Sequence, residues 1–297
     1  MKIIIVGYGS IGRRHYNLLN ERGADLCVVT KQKNLGVLSF SLLEEALSAH
    51  APDVVFICNE TVKHTESILE CLKYSKHLKI VVEKPLSSTL DDSLLSLCLQ
   101  DQSRIFVSYN LRLHPLLIQL KEEILNQKIL DVVVNVGQDL STWRNVDHKE
   151  SYSSHRSRGG GVLRDLSHEL DYIQWIFGSV TKSAAHVERC SELTEDSEDL
   201  VHALLKTNRC PSVLLRLSYL DKDPIRIIRV NTDKHTYEVN LLKGYLHRDG
   251  KDLMNSKFIV ETFSAQADKI LSLDFNSFCS YQEAIDIMRL ILEIENS

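Results

Sequence analysis

The chain has 297 residues, 43% hydrophobic and 25% charged, with a formal net charge of −5. The length predicts about two domains with a sizeable core, and the composition is that of a soluble globular protein. The acidic balance and the lack of a long basic stripe exclude nucleic acid as the expected partner, and no apolar run reaches the roughly 18 to 20 residues of a membrane span.

The opening MKIIIVGYGSIG has a Lys and an apolar run, but the run meets a glycine early and no small-residue cleavage site follows, so a signal peptide is not expected. Seven cysteines occur without a CxxC pair, several inside apolar runs. They read as buried free thiols of a reducing, cytoplasmic protein, not as a zinc site or a disulfide framework.

In chain order, IIIV at 3–6 predicts a buried strand. It leads into Gly7-Tyr8-Gly9-Ser10-Ile11-Gly12, a G-x-G-x-x-G pattern, and RRHYNLLNERG then reads as a helix closed by Gly23. ADLCVVT is a second strand. In such a loop Gly7 permits a tight turn, Gly9 lets the backbone approach a pyrophosphate, and Gly12 lets the helix pack on the strand. The helix start at Ser10 and Ile11 offers N–H groups and the positive dipole end. The pattern alone is weak, but its place between strand and helix makes dinucleotide binding the expectation over a flexible turn. The ribose-reading residue belongs about 20 positions on, at the end of the second strand. There the sequence has Thr30-Lys31-Gln32-Lys33 and no acidic residue. A hydroxyl and two lysines suit a 2′-phosphate, which modestly favours NADP over NAD; a solvated turn is the competing reading.

The alternation continues with LLEEALSA, DVVFICN, TESILECLKYS, KIVVEKP, LDDSLLSLCLQ, IFVSYN and PLLIQLKEEILNQ as helices and strands in turn. Repeated units of this kind predict a doubly wound parallel sheet whose ligands sit at the carboxyl ends of the strands. Three such ends stand out: Asn59 with Glu60 and His64, the triplet Glu83-Lys84-Pro85, and Tyr109-Asn110 followed by Arg112 and His114. Asn59, Glu83 and Lys84 are expected at the cofactor, and Asn110 and Arg112 at the substrate. A lysine leaving a buried VV strand can stabilise a developing alkoxide, the alternative being a surface lysine. Pro85 makes a cis Lys84–Pro85 bond cheap.

Residues 159–178, GGGVLRDLSHELDYIQWIFG, read as one helix behind three glycines. Val162, Leu166, Leu170, Ile173 and Phe177 form its apolar face, and Asp165, His168 and Asp171 or Tyr172 a strip on another side. The glycines would let the chain pass tightly against a ligand. His168 titrates near working pH and suits proton exchange with a substrate hydroxyl; Asp165 would orient it or touch the substrate. Arg164 and Glu169 read as structural. Upstream, Trp143, Arg144, His148, Tyr152, His155, Arg156 and Arg158 form a basic, aromatic loop; Tyr152 and Arg156 are its candidate substrate ligands, with a solvated loop as the alternative.

Together GYGSIG, VVEKPLS, VSYNLRLHP and GGGVLRDLSHELD resemble the glucose–fructose oxidoreductase / inositol dehydrogenase (Gfo/Idh/MocA) family over at least residues 1–178. The resemblance implies a Rossmann domain, placed at 1–118, followed by an α+β domain at 119–297 with a large, mostly antiparallel open-faced sheet. It implies that this sheet makes homodimers or homotetramers. It further implies NAD(P)-dependent hydride transfer at a carbinol carbon of a sugar, cyclitol or nucleotide sugar. The resemblance implies that Lys84, Asp165 and His168 take the family's catalytic positions, and no metal is expected. Two departures are visible: Asp165 and His168 are three apart where many members have four, and the chain is short. The form of the helix region is also like a branch associated with bacterial surface-sugar gene clusters.

After residue 178 the chain turns strand-rich, with VTKSAAHVE, LVHALLKT, SVLLRLSYL, IRIIRVNT and HTYEVNLL, and SELTEDSED at 191–199 reads as a loop. Helices are expected at 262–273 and 280–295. The leading expectation is an enzyme in which Lys84 and His168 meet at one carbon–oxygen bond. The rivals are a non-catalytic nucleotide-binding sensor and an epimerase or lyase that uses nicotinamide only transiently.

Overall fold

The computed structural model describes residues 1–142, 148–256 and 259–297. Its contacts divide the chain into Met1–Asn110 with Val260–Met288, and Leu111–Ile259 with Arg289–Ser297.

The first stretch runs β1 (Lys2–Val6), α1 (Ser10–Asn20), β2 (Asp25–Val29), β3 (Ser39–Phe40), α2 (Leu43–His50), β4 (Val54–Ile57), α3 (His64–Tyr74), β5 (Lys79–Glu83), α4 (Asp92–Leu95), α5 (Leu99–Gln102) and β6 (Ile105–Ser108). The second unit contributes α6 (Pro115–Glu123), β7 (Ile129–Gly137), α7 (Val162–Asp165), α8 (His168–Phe177), β8 (Val180–Glu188), β9 (Leu200–Thr207), β10 (Val213–Ser218), β11 (Ile225–Thr232), β12 (Thr236–Asn240), β13 (Tyr245–Arg248) and β14 (Lys251–Asn255). The chain ends with α9 (Ile259–Leu271), β15 (Cys279–Ser280) and α10 (Tyr281–Glu295).

The first sheet has the order β15-β6-β5-β4-β1-β2-β3. All its pairs are parallel except the edge strand β15 on β6. This is the doubly wound order, with its switch point between β1 and β4, and it fulfils the Rossmann expectation. The buried β-branched runs explain it: Ile3, Ile4 and Ile5 of β1 and Val54 to Ile57 of β4 are fully shielded, as strands covered on both faces require. A linear division at 118/119 leaves out one feature. The segment from Val260 to Met288 returns to the first unit, because Phe275 stacks on Phe106 with centroids 4.4 Å apart and Phe278 packs beside it.

The second sheet has eight strands in the order β14-β13-β12-β11-β7-β10-β9-β8. Only β7 and β10 run parallel; the other pairs are antiparallel. Alternation is clean on β9, where Val201, Ala203 and Leu205 are buried and His202, Leu204 and Lys206 are exposed, so one face packs and the other stays open.

Two helical expectations are corrected. LDDSLLSLCLQ forms two single-turn helices, α4 and α5, not one; the Ser96 hydroxyl donates to the Asp92 carbonyl at 2.6 Å, a local bond that competes with helix continuation. The region after the three glycines also breaks, at Leu166 and Ser167, into α7 and α8. The Lys84–Pro85 bond is cis. All seven cysteines are free. Among the described residues no helix is long and apolar enough to cross a membrane.

Candidate functional site

In the first unit the glycine loop closes as its sequence dictates. Gly7 has φ +97°, and a Cβ there would stand 2.6 Å from the Asn59 backbone nitrogen. A Cβ on Gly12 would stand 2.1 Å from the Gly7 carbonyl oxygen, so the helix start and the strand end touch through glycine alone. Over Gly9 a Cβ would meet nothing within 4 Å. Helix α1 begins there with no side-chain cap and no acidic residue in its first turn, which leaves the N–H groups of its first turn and its positive dipole end to a bound anion. Open space above a bare helix start fits a dinucleotide pyrophosphate, and Gly7, Gly9, Ser10, Ile11 and Gly12 are the residues that would hold it.

Thr30, half-buried, and Lys31, exposed, end β2. Arg13, which the sequence did not single out, joins them: the Gln32 amide oxygen accepts from Arg13 Nη2 at 2.8 Å, and the Gln32 amide nitrogen donates to the Tyr8 carbonyl at 3.1 Å. Arg13 therefore supplies a third cation here besides Lys31 and Lys33. Its only sequence signal was its place on the first turn of α1.

Asn59 is half-buried after β4 and donates from Nδ2 to Ser67 Oγ at 3.0 Å. His64 is buried, with Nδ1 3.0 Å from the Pro85 carbonyl and Nε2 3.2 Å from the Asn59 carbonyl. Burial lowers its pKa despite those carbonyls. Lys84 is half-buried at the end of β5. Glu83 lies 2.8 Å from His15 Nε2 and accepts from Ser108 Oγ at 3.1 Å. Burial opposes its charge, but His15, Lys84 and Ser108 prevail and hold it below the usual carboxylate value. Asn110 is buried and donates to Thr262 Oγ1 at 2.7 Å.

In the second unit the ionisable run 164–171 resolves residue by residue. Asp165 is buried and accepts from Tyr152 Oη at 2.8 Å, Ser153 Oγ at 2.5 Å and Tyr219 Oη at 2.7 Å. Burial, then the Asp165 charge, pushes the Tyr219 phenol well up. Arg164 pairs with Glu295 at 2.6 Å. Glu169 is fully buried against Arg226, 2.7 Å from Nη2. Asp171, also fully buried, takes Arg112 Nε at 2.9 Å and Nη2 at 2.7 Å. His168 is half-exposed, whereas every other titratable side chain of α7 and α8 is buried. The break at Leu166 means that Asp165 and His168 do not share one helical strip. Two buried ion pairs fix α8, and its first residue is left to reach solvent. Arg112, expected at the substrate, is buried with its guanidinium on Asp171.

The glycines at 160 and 161 serve protein packing. A Cβ on Gly160 would stand 2.1 Å from the Tyr152 carbonyl, and one on Gly161 2.1 Å from Glu198 Oε1. Glu198 is buried, accepts the Leu163 N–H at 3.2 Å and lies 3.4 Å from Arg156 Nη2. Burial raises its pKa. The acidic loop at 191–199 thus caps α7 and holds Arg156, whose own N–H donates to Asp196 Oδ1 at 2.6 Å. Trp143 and Arg144 lie outside the described residues. Among the described residues no group of three or more His, Cys, Asp or Glu is arranged to hold a metal.

Comparison with known proteins agrees with this architecture. The model for the oxidoreductase family with an NAD-binding Rossmann fold matches residues 1–109, and the GFO/IDH/MocA C-terminal domain matches residues 119–245. An uncharacterized oxidoreductase of Streptococcus pneumoniae is 21% identical over 90% of this chain and 76% of its own length. The 2,7-anhydro-N-acetylneuraminate hydratase of Escherichia coli is 19% identical over 62% of this chain, which spans about half (51%) of that enzyme. The crystal structure of the WlbA dehydrogenase from Bordetella pertussis, in complex with NADH and UDP-GlcNAcA, superposes with a TM-score of 0.79 at 20% identity, over 100% of this chain and 96% of the other. A doubly wound sheet with its glycine loop, an eight-stranded open sheet and two domain matches in the right order lead to one assignment: the chain is an NAD-binding oxidoreductase of the Gfo/Idh/MocA family.

Proposed function

We propose that the enzyme exchanges a hydride between nicotinamide and the CH–OH or C=O carbon of a sugar-like substrate, nucleotide sugars first. Two observations support the reading, one within each unit. Lys84 is half-buried at a Rossmann strand end, and His168 is the half-exposed titratable group on a helix whose other charges are consumed. The nicotinamide, when bound, supplies the hydride acceptor or donor. Lys84 stabilises negative charge on the reacting oxygen, and His168 takes or returns its proton. Asp165 serves as a positioning residue, because its carboxylate is spent on three hydroxyls; it fixes Tyr152. Arg156, exposed and held by Glu198, suits an anionic group on the substrate. The WlbA structure supports the choice of nucleotide sugars.

Lys31, Lys33 and Arg13 around Gln32, with no carboxylate at the end of β2, favour NADP over NAD. The open face of the second sheet carries Ala184, Leu204, Leu214, Val133 and Arg229 in one cross-strand row. Leu204 is 55% and Leu214 47% exposed, so a second copy is the proposed cover, and Leu204→Glu should shift sedimentation to the monomer. Free thiols throughout suit a cytoplasmic setting.

The deciding experiment follows nicotinamide absorbance with NADH, NADPH and their oxidised forms over a nucleotide-sugar panel. Lys84→Met should keep nucleotide affinity and lose turnover roughly a thousandfold; unchanged turnover overturns the assignment. The hydratase relative favours one variant of the reading, transient use of the nicotinamide. Product formed without net absorbance change would select it.

A further inference from the structure

Helix α1, which starts at the glycine loop, also carries His15, and that side chain turns inward to 1% exposure. Its ring packs on Phe56 and Phe263, with centroids 4.1 Å and 5.6 Å away, and its Nε2 lies 2.8 Å from Glu83 Oε1. Glu83 is the last residue of β5, and its Oε2 accepts the backbone N–H of Lys84 at 3.3 Å. Ser108 at the end of β6 donates to the same carboxylate, and Gln266 of α9 donates to Ser108 Oγ at 2.8 Å. One shielded carboxylate thus ties α1, β5, β6 and α9 together directly behind Lys84. Removing a carboxylate from water is costly, so a position that needed only a strand end would not hold one.

We propose that His15 is a positioning residue for Lys84: through Glu83 it fixes the charge and the backbone direction behind that lysine, so the helix that receives the nucleotide also sets the lysine. The proposal rests on the role given to Lys84 above.

The electrostatics follow from who faces Glu83. Those groups are His15, Lys84 and Ser108, with Cys58 and His64 acting through space. Burial raises the Cys58 thiol and lowers the His64 imidazole, so both stay neutral and neither replaces His15. Without His15, Glu83 loses the partner that holds its Oε1, and with it the fixed orientation in which Oε2 accepts the Lys84 N–H. Without the Glu83 carboxylate itself, Lys84 loses an adjacent anion that favours its ammonium form, so its titration moves down.

The test reads Lys84 directly, without a substrate. Full-length protein, with and without NADPH, is acetylated with acetic anhydride across a pH series, and Lys84 reactivity is quantified by mass spectrometry. His15→Phe keeps the ring packing and removes the nitrogens; Glu83→Gln removes the charge. In Glu83→Gln the Lys84 midpoint should fall by about one unit; in His15→Phe the rate of Lys84 acetylation at fixed pH should change severalfold, while Lys79 on the same strand does not respond in either. His15→Gln, which keeps a donor, should recover at least half of that rate change. NADPH affinity should stay within about threefold. An unmoved Lys84 midpoint in Glu83→Gln, or an unchanged Lys84 rate in folded His15→Phe, overturns the proposal. Should His15→Phe fail to fold, Glu83→Gln and His15→Gln decide alone. Loss of turnover in Lys84→Met with no midpoint shift defeats only the coupling; a midpoint shift with full turnover in Lys84→Met defeats the catalytic role instead.

Discussion

The molecule uses glycine clusters twice and for opposite ends. Over Gly9 nothing approaches within 4 Å of where a Cβ would stand, whereas over Gly160 and Gly161 a peptide carbonyl and a carboxylate lie 2.1 Å from it. The first cluster keeps room for something the chain does not supply. The second is filled by the chain itself. Polar groups divide in the same way. Asn59 and Lys84 are half-buried at strand ends, while Asp165, Glu169 and Asp171 are shielded on hydroxyls or guanidinium groups. A dense run of ionisable groups is therefore a poor marker of chemistry on its own. The informative group is the one left partly exposed when its neighbours are spent.

The sharpest way to break this comparison is Gly161→Ala. The residue has φ +118° and ψ 150°, a region nearly closed to side chains, and the new methyl would collide with the Glu198 carboxylate. Either the backbone shifts or Glu198 moves and abandons the Leu163 N–H and Arg156. The expected cost is about 4 kcal/mol, from backbone strain and a lost charge-assisted bond. Thermal unfolding should shift down by roughly 10 °C, with nucleotide affinity unchanged. An unaltered melting temperature would mean that Glu198 steps aside freely and that the second cluster is as open as the first.

That contrast also explains how much the sequence could reveal. Strand–helix alternation and G-x-G-x-x-G follow from local sterics, so the first sheet and its nucleotide loop were legible from residues 1–109 alone. The strand-end position of Lys84 was legible because a buried β-branched run precedes it. The return of Phe275 and Phe278 to Phe106 was not, since pairing across more than 160 positions leaves no local periodicity. Nor was the break at Leu166: the apolar spacing of 162–177 fits one helix, and the three hydroxyls on Asp165 come from Tyr152, Ser153 and Tyr219, two separate stretches. Arg112 illustrates the same limit. A strand-end arginine reads as a ligand, and nothing local in the sequence announces its buried partner, Asp171.

A second prediction concerns the shielded charges of the second unit. His114 is fully buried at the start of α6, where its Nδ1 accepts the Leu116 N–H at 3.2 Å. Burial first, then the Arg226 charge, lowers its pKa from 6.5 to about 4. Between those values the unfolded chain binds a proton that the folded chain refuses, so stability rises with pH across that window and is lost as pH falls through it. The linked loss by pH 4 is about 3 kcal/mol. Denaturant titrations at pH 7 and pH 5 should show part of it, and His114→Asn, which still caps the helix, should flatten the difference. An equal pH dependence in that variant would assign the effect to other groups.

The smallest expected effect tests the open cluster. Gly9 has φ −76°, which alanine adopts without strain, and the added methyl meets no protein atom. Gly9→Ala should therefore fold within about 1 kcal/mol of the parent. Its cost belongs to the ligand, because the methyl occupies the approach of a pyrophosphate to the helix start. NADH and NADPH affinity, read by nicotinamide fluorescence, should each fall at least about tenfold, or about 1.4 kcal/mol. A stability loss matching that of Gly161→Ala would show that the space over Gly9 is structural. Full affinity at full stability would place the phosphates elsewhere on the first sheet and remove the distinction between the two clusters.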